Sequence, residues 1–168
     1  MTRTRIIGFV VAILVFVIDQ GVKMFVTGTL GLDTPGESLT VLPIFDLRLV
    51  QNVGVSLGML AAESDTMRWV LVALTGAIAA GVGWWILRER NRADVVALGL
   101  VLGGALGNIL DRVRLGYVID FADLHFGGWQ PFLVFNVADA AITIGVVILL
   151  LRALLVREKP APRESLNA

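Results

Sequence analysis

The chain has 168 residues, 57% of them hydrophobic and 17% charged, with a mean hydropathy of +0.82; it is too apolar for an ordinary soluble domain and too short for several domains. Lys+Arg and Asp+Glu number 14 each, so there is no basic field to recruit a nucleic-acid partner. With no cysteine, disulfides, thiolate metal sites and a cysteine nucleophile are excluded.

Arg3 and Arg5 are followed by an apolar run from Ile6 to Ile18 that has the look of a secretory signal peptide. No Ala-x-Ala-type site follows, and the run continues through Asp19, Gln20 and Lys23, so a retained helix over 6–26 is expected. A hydrocarbon core about 30 Å thick needs about 20 helical residues. Three more segments meet that length, at about 69–87, 93–113 and 134–156. The expectation is therefore an all-α membrane fold, a four-transmembrane-helix bundle in a single membrane domain over 1–157, with a disordered tail at 158–168.

Arg3, Arg5, Arg152, Arg157, Lys159 and Arg163 flank the ends, and Arg88, Arg90 and Arg92 lie between the second and third spans. By the positive-inside rule both termini are cytoplasmic and the connections at 27–68 and 114–133 face outward. In the first outward loop Pro35-Gly36 breaks the chain, and Phe45-Asp46-Leu47-Arg48-Leu49 alternates with the period of a strand. Tyr117, Val118 and Ile119 are also β-prone, so a small extracytoplasmic β element pairing the two loops is expected. Trp69, Trp84, Trp85 and Trp129 suit the headgroup region as interface anchors.

Ionisable residues inside a span cost about 2.5–3.5 kcal/mol each on insertion scales, so each needs a reason. Asp19 and Lys23, then Asn108, Asp111 and Arg112, then Asn136 and Asp139 recur at i,i+3 and i,i+4, each set on one helical face. Since alternate helices run in opposite directions, all three faces fall in the outer half of the bundle. Asp19–Lys23 reads first as a structural ion pair locking the first helix; Arg112 either snorkels to the headgroups from a helix end or pairs with Asp111 and stiffens the site, the reading its neighbours favour. Gly103, Gly104 and Gly107 form a small-residue stripe whose ordinary meaning is close helix packing. Asn52 with Gly54 reads as a turn, whose amide is also suited to holding a peptide backbone.

His125 is the only histidine and reads as a surface residue, since one His makes a poor metal cluster. Ser38, Ser56, Ser64 and Ser165 sit in no Gly-x-Ser-x-Gly elbow, and Ser56 with Lys23 is the only conceivable Ser–Lys pair. What remains is two carboxylates, Asp120 just before the fourth helix and Asp139 inside it. Facing carboxylates share a proton, so one can take a proton from water while the other polarises a carbonyl. That chemistry hydrolyses an amide with no metal and no cofactor.

The sequence carries Asp19-Gln20-x-x-Lys23, Asn52-x-Gly54, Gly103-Gly104-Ala105-x-Gly107-Asn108-x-x-Asp111-Arg112, Gly116-x-Val118-x-Asp120-Phe121 and Phe135-Asn136-x-Ala138-Asp139. Together these resemble the lipoprotein signal peptidase family, also called signal peptidase II. The resemblance implies a four-helix aspartic endopeptidase of the bacterial inner membrane. Such enzymes cut signal peptides from prolipoproteins just before a cysteine that bears a diacylglyceryl group. Asp120 and Asp139 would be the catalytic pair. Asn52, Asn108, Arg112 and Asn136 would bind or position substrate, Gly54 belonging to the same loop motif; Asp19, Lys23 and Asp111 would shape the site. The external β element would cradle the substrate. Partners would be lipid-modified prolipoproteins and membrane lipids, the enzyme a monomer with its active site at the outer face. Val55, Ser56 and Leu57 depart from the family's small residues followed by Phe, which bears on fine substrate contacts and not on the pair.

Two readings from other classes stand beside it. A transporter or proton-coupled channel also uses intramembrane Asp, Asn and Lys, and a noncatalytic scaffold uses polar faces to specify packing. The scaffold would tolerate Asp139→Asn; the protease would not.

Overall fold

The computed structural model describes residues 3–54 and 65–155; Val55, Ser56, Leu57, Ser64, Arg157 and the tail at 158–168 lie outside them. Among the described residues, four helices are long and apolar enough to cross a membrane. Helix α1 spans Arg3–Met24 and runs on into a π-helical turn, Phe25–Thr29. Helix α2 spans Asp65–Arg88, α3 spans Arg92–Leu115 and α4 spans Val137–Leu155. The four-helix bundle with a small sheet is the fold class expected from hydropathy and period.

Helix α3 is the axis of the bundle, because half of its apolar stretch is buried against 22%, 11% and 17% for α1, α2 and α4. Its sequence explains why. A Cβ on Gly99 or Gly103 would run into the backbone of α1 at Gly8 or Ala12, and one on Gly104 into the carbonyl of Ala138 in α4. From the other side, a Cβ on Gly145 of α4 would strike the carbonyl of Ala97. Lipid tails are as apolar as leucine, so helices associate in a bilayer through close packing of this kind rather than through hydrophobic burial. The small-residue stripe therefore sets how near three helices approach one another.

Strands β1 (Ser38–Leu42), β2 (Phe45–Asn52) and β3 (Val118–Leu124) form an antiparallel sheet in that order. The alternation in Phe45–Leu49 and the β-branched start of β3 signal two strands. The first went unanticipated although Leu39 and Val41 alternate with Ser38 and Thr40; all five of its residues are exposed. Register pairs Asp46 with Asp123, Val50 with Asp120 and Asn52 with Val118, with an irregularity between Leu47 and Val50. There β2 takes three steps while β3 takes two, from Ala122 to Asp120. Such a bulge re-aims side chains locally.

Hydropathy alone starts the last span at 134, but α4 begins at Val137. Phe135 is held as a bridge to Ala122, with N–H···O distances of 2.7 and 3.0 Å, and Asn136 caps the helix. At the opposite end of the bundle Asn91 caps α3, its Oδ1 accepting from Ala93 N at 2.9 Å, and Arg152 pairs with Asp94. The four tryptophans are each about half exposed, with Arg68 over Trp69 and Arg88 over Trp84.

Gly104→Val should place a methyl against Ile142 Cγ1, now 2.8 Å from the Cβ position, and cost about 1–3 kcal/mol of stability. Gly83→Ala, where a Cβ meets nothing within 4 Å, should be neutral or gain about 0.5–1 kcal/mol. Thermal unfolding in detergent distinguishes the two; equal shifts would contradict the packing seam.

Candidate active site

The polar faces of α1, α3 and α4 meet at the end of the bundle that carries the sheet. At their centre Lys23, 2% exposed, lies 2.8 Å from Asp19 Oδ2 and 2.7 Å from Asp111 Oδ2. Both carboxylates are buried as well. A charge so placed is tolerable only if its partners are close and the remaining oxygens find donors. Asp19 Oδ1 accepts from Ala138 N at 2.9 Å, a first-turn N–H of α4 that has no partner within its own helix. Asp111 Oδ1 accepts from Gln20 Nε2 at 2.9 Å, and its Oδ2 from Ile119 N in β3 at 3.2 Å. The i,i+4 pair thus locks more than the first helix: it fastens α1, α3, α4 and β3 together.

Lys23 also donates to Asn108 Oδ1 at 3.2 Å. That contact decides which way the amide points, so Asn108 Nδ2 faces Asp139 Oδ1 at 2.8 Å. Asn136 is the N-cap of α4: its Oδ1 accepts from Asp139 N at 2.8 Å, and Asp139 Oδ2 lies 3.4 Å from Asn136 N in return. This is a reciprocal capping box built from Asn and Asp. Asn136 Nδ2 reaches Asp120 Oδ1 at 2.6 Å, and Asn52 Nδ2 donates to Asp120 Oδ2 at 2.9 Å while its Oδ1 accepts from Gly54 N at 2.9 Å. Asn52 is therefore both a turn residue and an arm on Asp120. Gly54, at φ +117°, adopts a conformation open to glycine. One residue, Asn136, reaches both carboxyls, Asp120 through its side-chain Nδ2 and Asp139 through its backbone N–H.

The pair is unequal. Asp120 is 1% exposed and Asp139 is half-buried. Burial, with the nearby charge of Asp139 adding to it, pushes the Asp120 carboxyl up to about 6, against the donors of Asn52 and Asn136. Two cavities open onto the pair. One of about 370 Å³ is lined by Asp120, Asn52, Gly54 and Arg48. A more apolar one of about 500 Å³ is lined by Asp139, Phe132, Phe135 and Ile144. Leu133 borders both.

Nine of the ten residues singled out from the sequence enter this network by a hydrogen bond or ion pair; Arg112 does not. Asp111 gives its oxygens to Lys23, Gln20 and Ile119, so the expected Arg112–Asp111 pair is replaced by Lys23–Asp111. Arg112 is half-buried and its Nε has no partner among the described residues. His125 is only partly at the surface: its side chain is 19% exposed and lies 3.3 Å from Asp46 Oδ2. Sequence reasoning missed Gln20 as a member, although an amide beside Asp19 inside a span was the signal. It also missed the burial of Asp123, for which period gave no cue. Among the described residues no group of three or more His, Cys, Asp or Glu could hold a metal.

Residues 11–155 match the family described as Signal peptidase (SPase) II. A protein named lipoprotein signal peptidase from Rhizorhabdus wittichii is 59% identical over 164 residues, covering 98% of this chain and 95% of the relative. One of the same name from Sphingopyxis alaskensis is 53% identical over 152 residues, covering 90% and 87%. A solved "Bacterial membrane enzyme structure by the in meso method" superposes with a TM-score of 0.73 at 30% identity, over 88% of this chain and 92% of that one.

Because the folded protein holds a proton on Asp120 more tightly than the unfolded chain, that contribution to stability is complete below pH about 4. It is lost as the pH rises through about 6. Asp120→Asn should therefore gain on the wild type as the pH rises from 4 to 7, by a few degrees in Tm. A difference in Tm that stays constant over that range would contradict the buried, proton-holding carboxyl.

Proposed function

The chain belongs to the signal peptidase II family, a group of multi-pass bacterial membrane peptidases that process lipoprotein signal peptides, and from there we propose that it cuts diacylglyceryl-modified prolipoproteins just before the lipid-bearing cysteine, with Asp120 and Asp139 as the catalytic pair. The observation that carries this reading is Asn136, whose side-chain Nδ2 donates to the Asp120 carboxyl while its backbone N–H faces the Asp139 carboxyl. It brings a carboxyl from a strand and one from a helix to one place.

Asp120, the fully buried member, keeps the shared proton and directs it at the scissile carbonyl oxygen. Asp139, open to the second cavity, takes a proton from water. The hydroxide oxygen bonds to the carbonyl carbon, and the carbonyl oxygen takes the proton of Asp120 to give a neutral tetrahedral diol. Collapse breaks the C–N bond: the nitrogen leaves as the amine of the cysteine with the proton from Asp139, while a diol hydroxyl returns its proton to Asp120. Both carboxyls end as they began. Asn108 and Asn52 hold the two carboxyls in place, and Asp19, Lys23 and Asp111 are the frame. Arg112, whose Nε has no partner among the described residues, is available to the substrate backbone.

The orientation we propose sets the sheet and the pair at the outer face of the inner membrane, with both termini cytoplasmic. In support, Arg88, Arg90, Arg92 and Arg152 cluster at the end of the bundle opposite the sheet, as the positive-inside rule requires. A lipid-anchored substrate held in the outer leaflet then presents its scissile bond at the depth of the pair. The enzyme acts as a monomer surrounded by membrane lipids.

Asp120→Asn and Asp139→Asn should each lower cleavage of a diacylglyceryl-modified prolipoprotein by at least about 10³-fold and leave folded protein in the membrane. Substantial turnover by either purified variant would remove the pair from the mechanism. Wild-type cleavage should persist in a chelator; a loss restored by zinc would contradict a metal-free reaction.

A further inference from the structure

A peptidase that cuts before a lipid-bearing cysteine must also accommodate the polypeptide that follows it. The cavity that holds Asp120 has a neighbour of about 360 Å³ lined by Asp46, Asp123, His125 and Gln130. A single residue, Arg48, borders both cavities. The two cavities that adjoin the catalytic one at its edges differ in kind. The one beyond Leu133 is walled by Phe132, Phe135 and Ile144 and suits an apolar segment. The one beyond Arg48 is walled by charged and amide side chains.

Resting on the proposed peptidase reading, we infer that Arg48 is a specificity residue that reads the first residues of the mature chain as they pass from the catalytic cavity into the polar one. The mature side of the substrate is the hydrophilic side, and an extended chain advances about 3.3 Å per residue, so a few residues lead across this shared wall. Arg48 sits in the bulge where β2 leaves its pairing with β3, and its side chain is 46% exposed. Its ion-pair partner is Asp123 Oδ2 at 3.7 Å, beyond hydrogen-bond distance, so the guanidinium fork keeps donors for a carboxylate or a peptide carbonyl. The wall behind it is built. Asp123 is 3% exposed and lies 3.4 and 3.5 Å from Gln130 Nε2, and His125 lies against Asp46. Asp46 and Asp123 share this wall, but the Asp123 side chain is 4% exposed and Asp46 lies against His125, so the half-exposed guanidinium of Arg48 is the charge a passing side chain meets first: an acidic one gains a partner and a basic one meets a like charge.

The test uses the full-length enzyme and two diacylglyceryl-modified prolipoproteins that differ only in carrying Asp or Lys within the three residues after the cysteine. Wild type should favour the Asp substrate in kcat/KM by roughly fivefold. Arg48→Glu should reverse the preference, and Arg48→Lys should retain it. Should Arg48→Glu fail to fold beside Asp123, Arg48→Gln should bring the ratio close to one. An unchanged ratio in Arg48→Glu or Arg48→Gln overturns the proposal, because a purely structural arginine would lower both substrates alike. An equal loss on both substrates also overturns it, assigning Arg48 to a lipid headgroup or to the shared anchor. If wild type cleaves neither substrate, it is the peptidase reading itself that fails.

Discussion

A lysine held between two aspartates inside a membrane bundle is the constraint from which the rest of the sheet end follows. Removing three charges from water costs several kcal/mol per ion, and Lys23, Asp19 and Asp111 offset this only at contact distances of 2.7–2.8 Å. One positive and two negative charges leave an excess anion. The excess is met by donors drawn from elsewhere in the fold: Ala138 N from the first turn of α4, Gln20 from α1 and Ile119 N from β3. Three helices and a strand are joined because the ion cluster has no other way to be satisfied. The glycines of α3 act in the same direction, since only their lack of Cβ lets Asp19 approach Gly107 and Ala138 approach Gly104.

The two candidate catalytic carboxyls inherit their places from this frame. Lys23 fixes the amide of Asn108, and Asn108 holds Asp139. The Phe135–Ala122 bridge ties the chain before α4 to the strand that carries Asp120, and Asn136 spans what is left. The result is an unequal pair, one carboxyl fully enclosed in a strand and one half-open at a helix start. Such inequality lets one group keep a proton while the other accepts one. A hydrophobic frame could hold helices together as well. It could not orient the amide of Asn108.

The fold was legible where apolar length and small-residue spacing carry the signal, as in the four spans and the stripe from Gly103 to Gly107. Much of the site was legible for the opposite reason, because Asp19, Lys23, Asn108, Asp111 and Asp139 are costly in a span and stand out against their surroundings. Pairing was harder. From i,i+1 adjacency Arg112 looked like the partner of Asp111, yet adjacent residues on a helix point apart, and Asp111 turns to Lys23 on another helix. Strand β1 carries a short alternation in Ser38–Val41 that went unread, and none of it is buried. The burial of Asp123, paired with Asp46 across the sheet, had no periodic cue either.

The measurement that tests this account most directly is thermal unfolding in detergent of Lys23→Met beside the triple variant Asp19→Asn, Lys23→Met, Asp111→Asn. Lys23→Met alone leaves two buried carboxylates without their cation and should lose about 3–5 kcal/mol. The triple variant, with no charge left to satisfy, should recover a large part of that loss. A Lys23→Met protein as stable as the wild type, or no more affected than the triple, would contradict the view that the buried ion cluster organises the site.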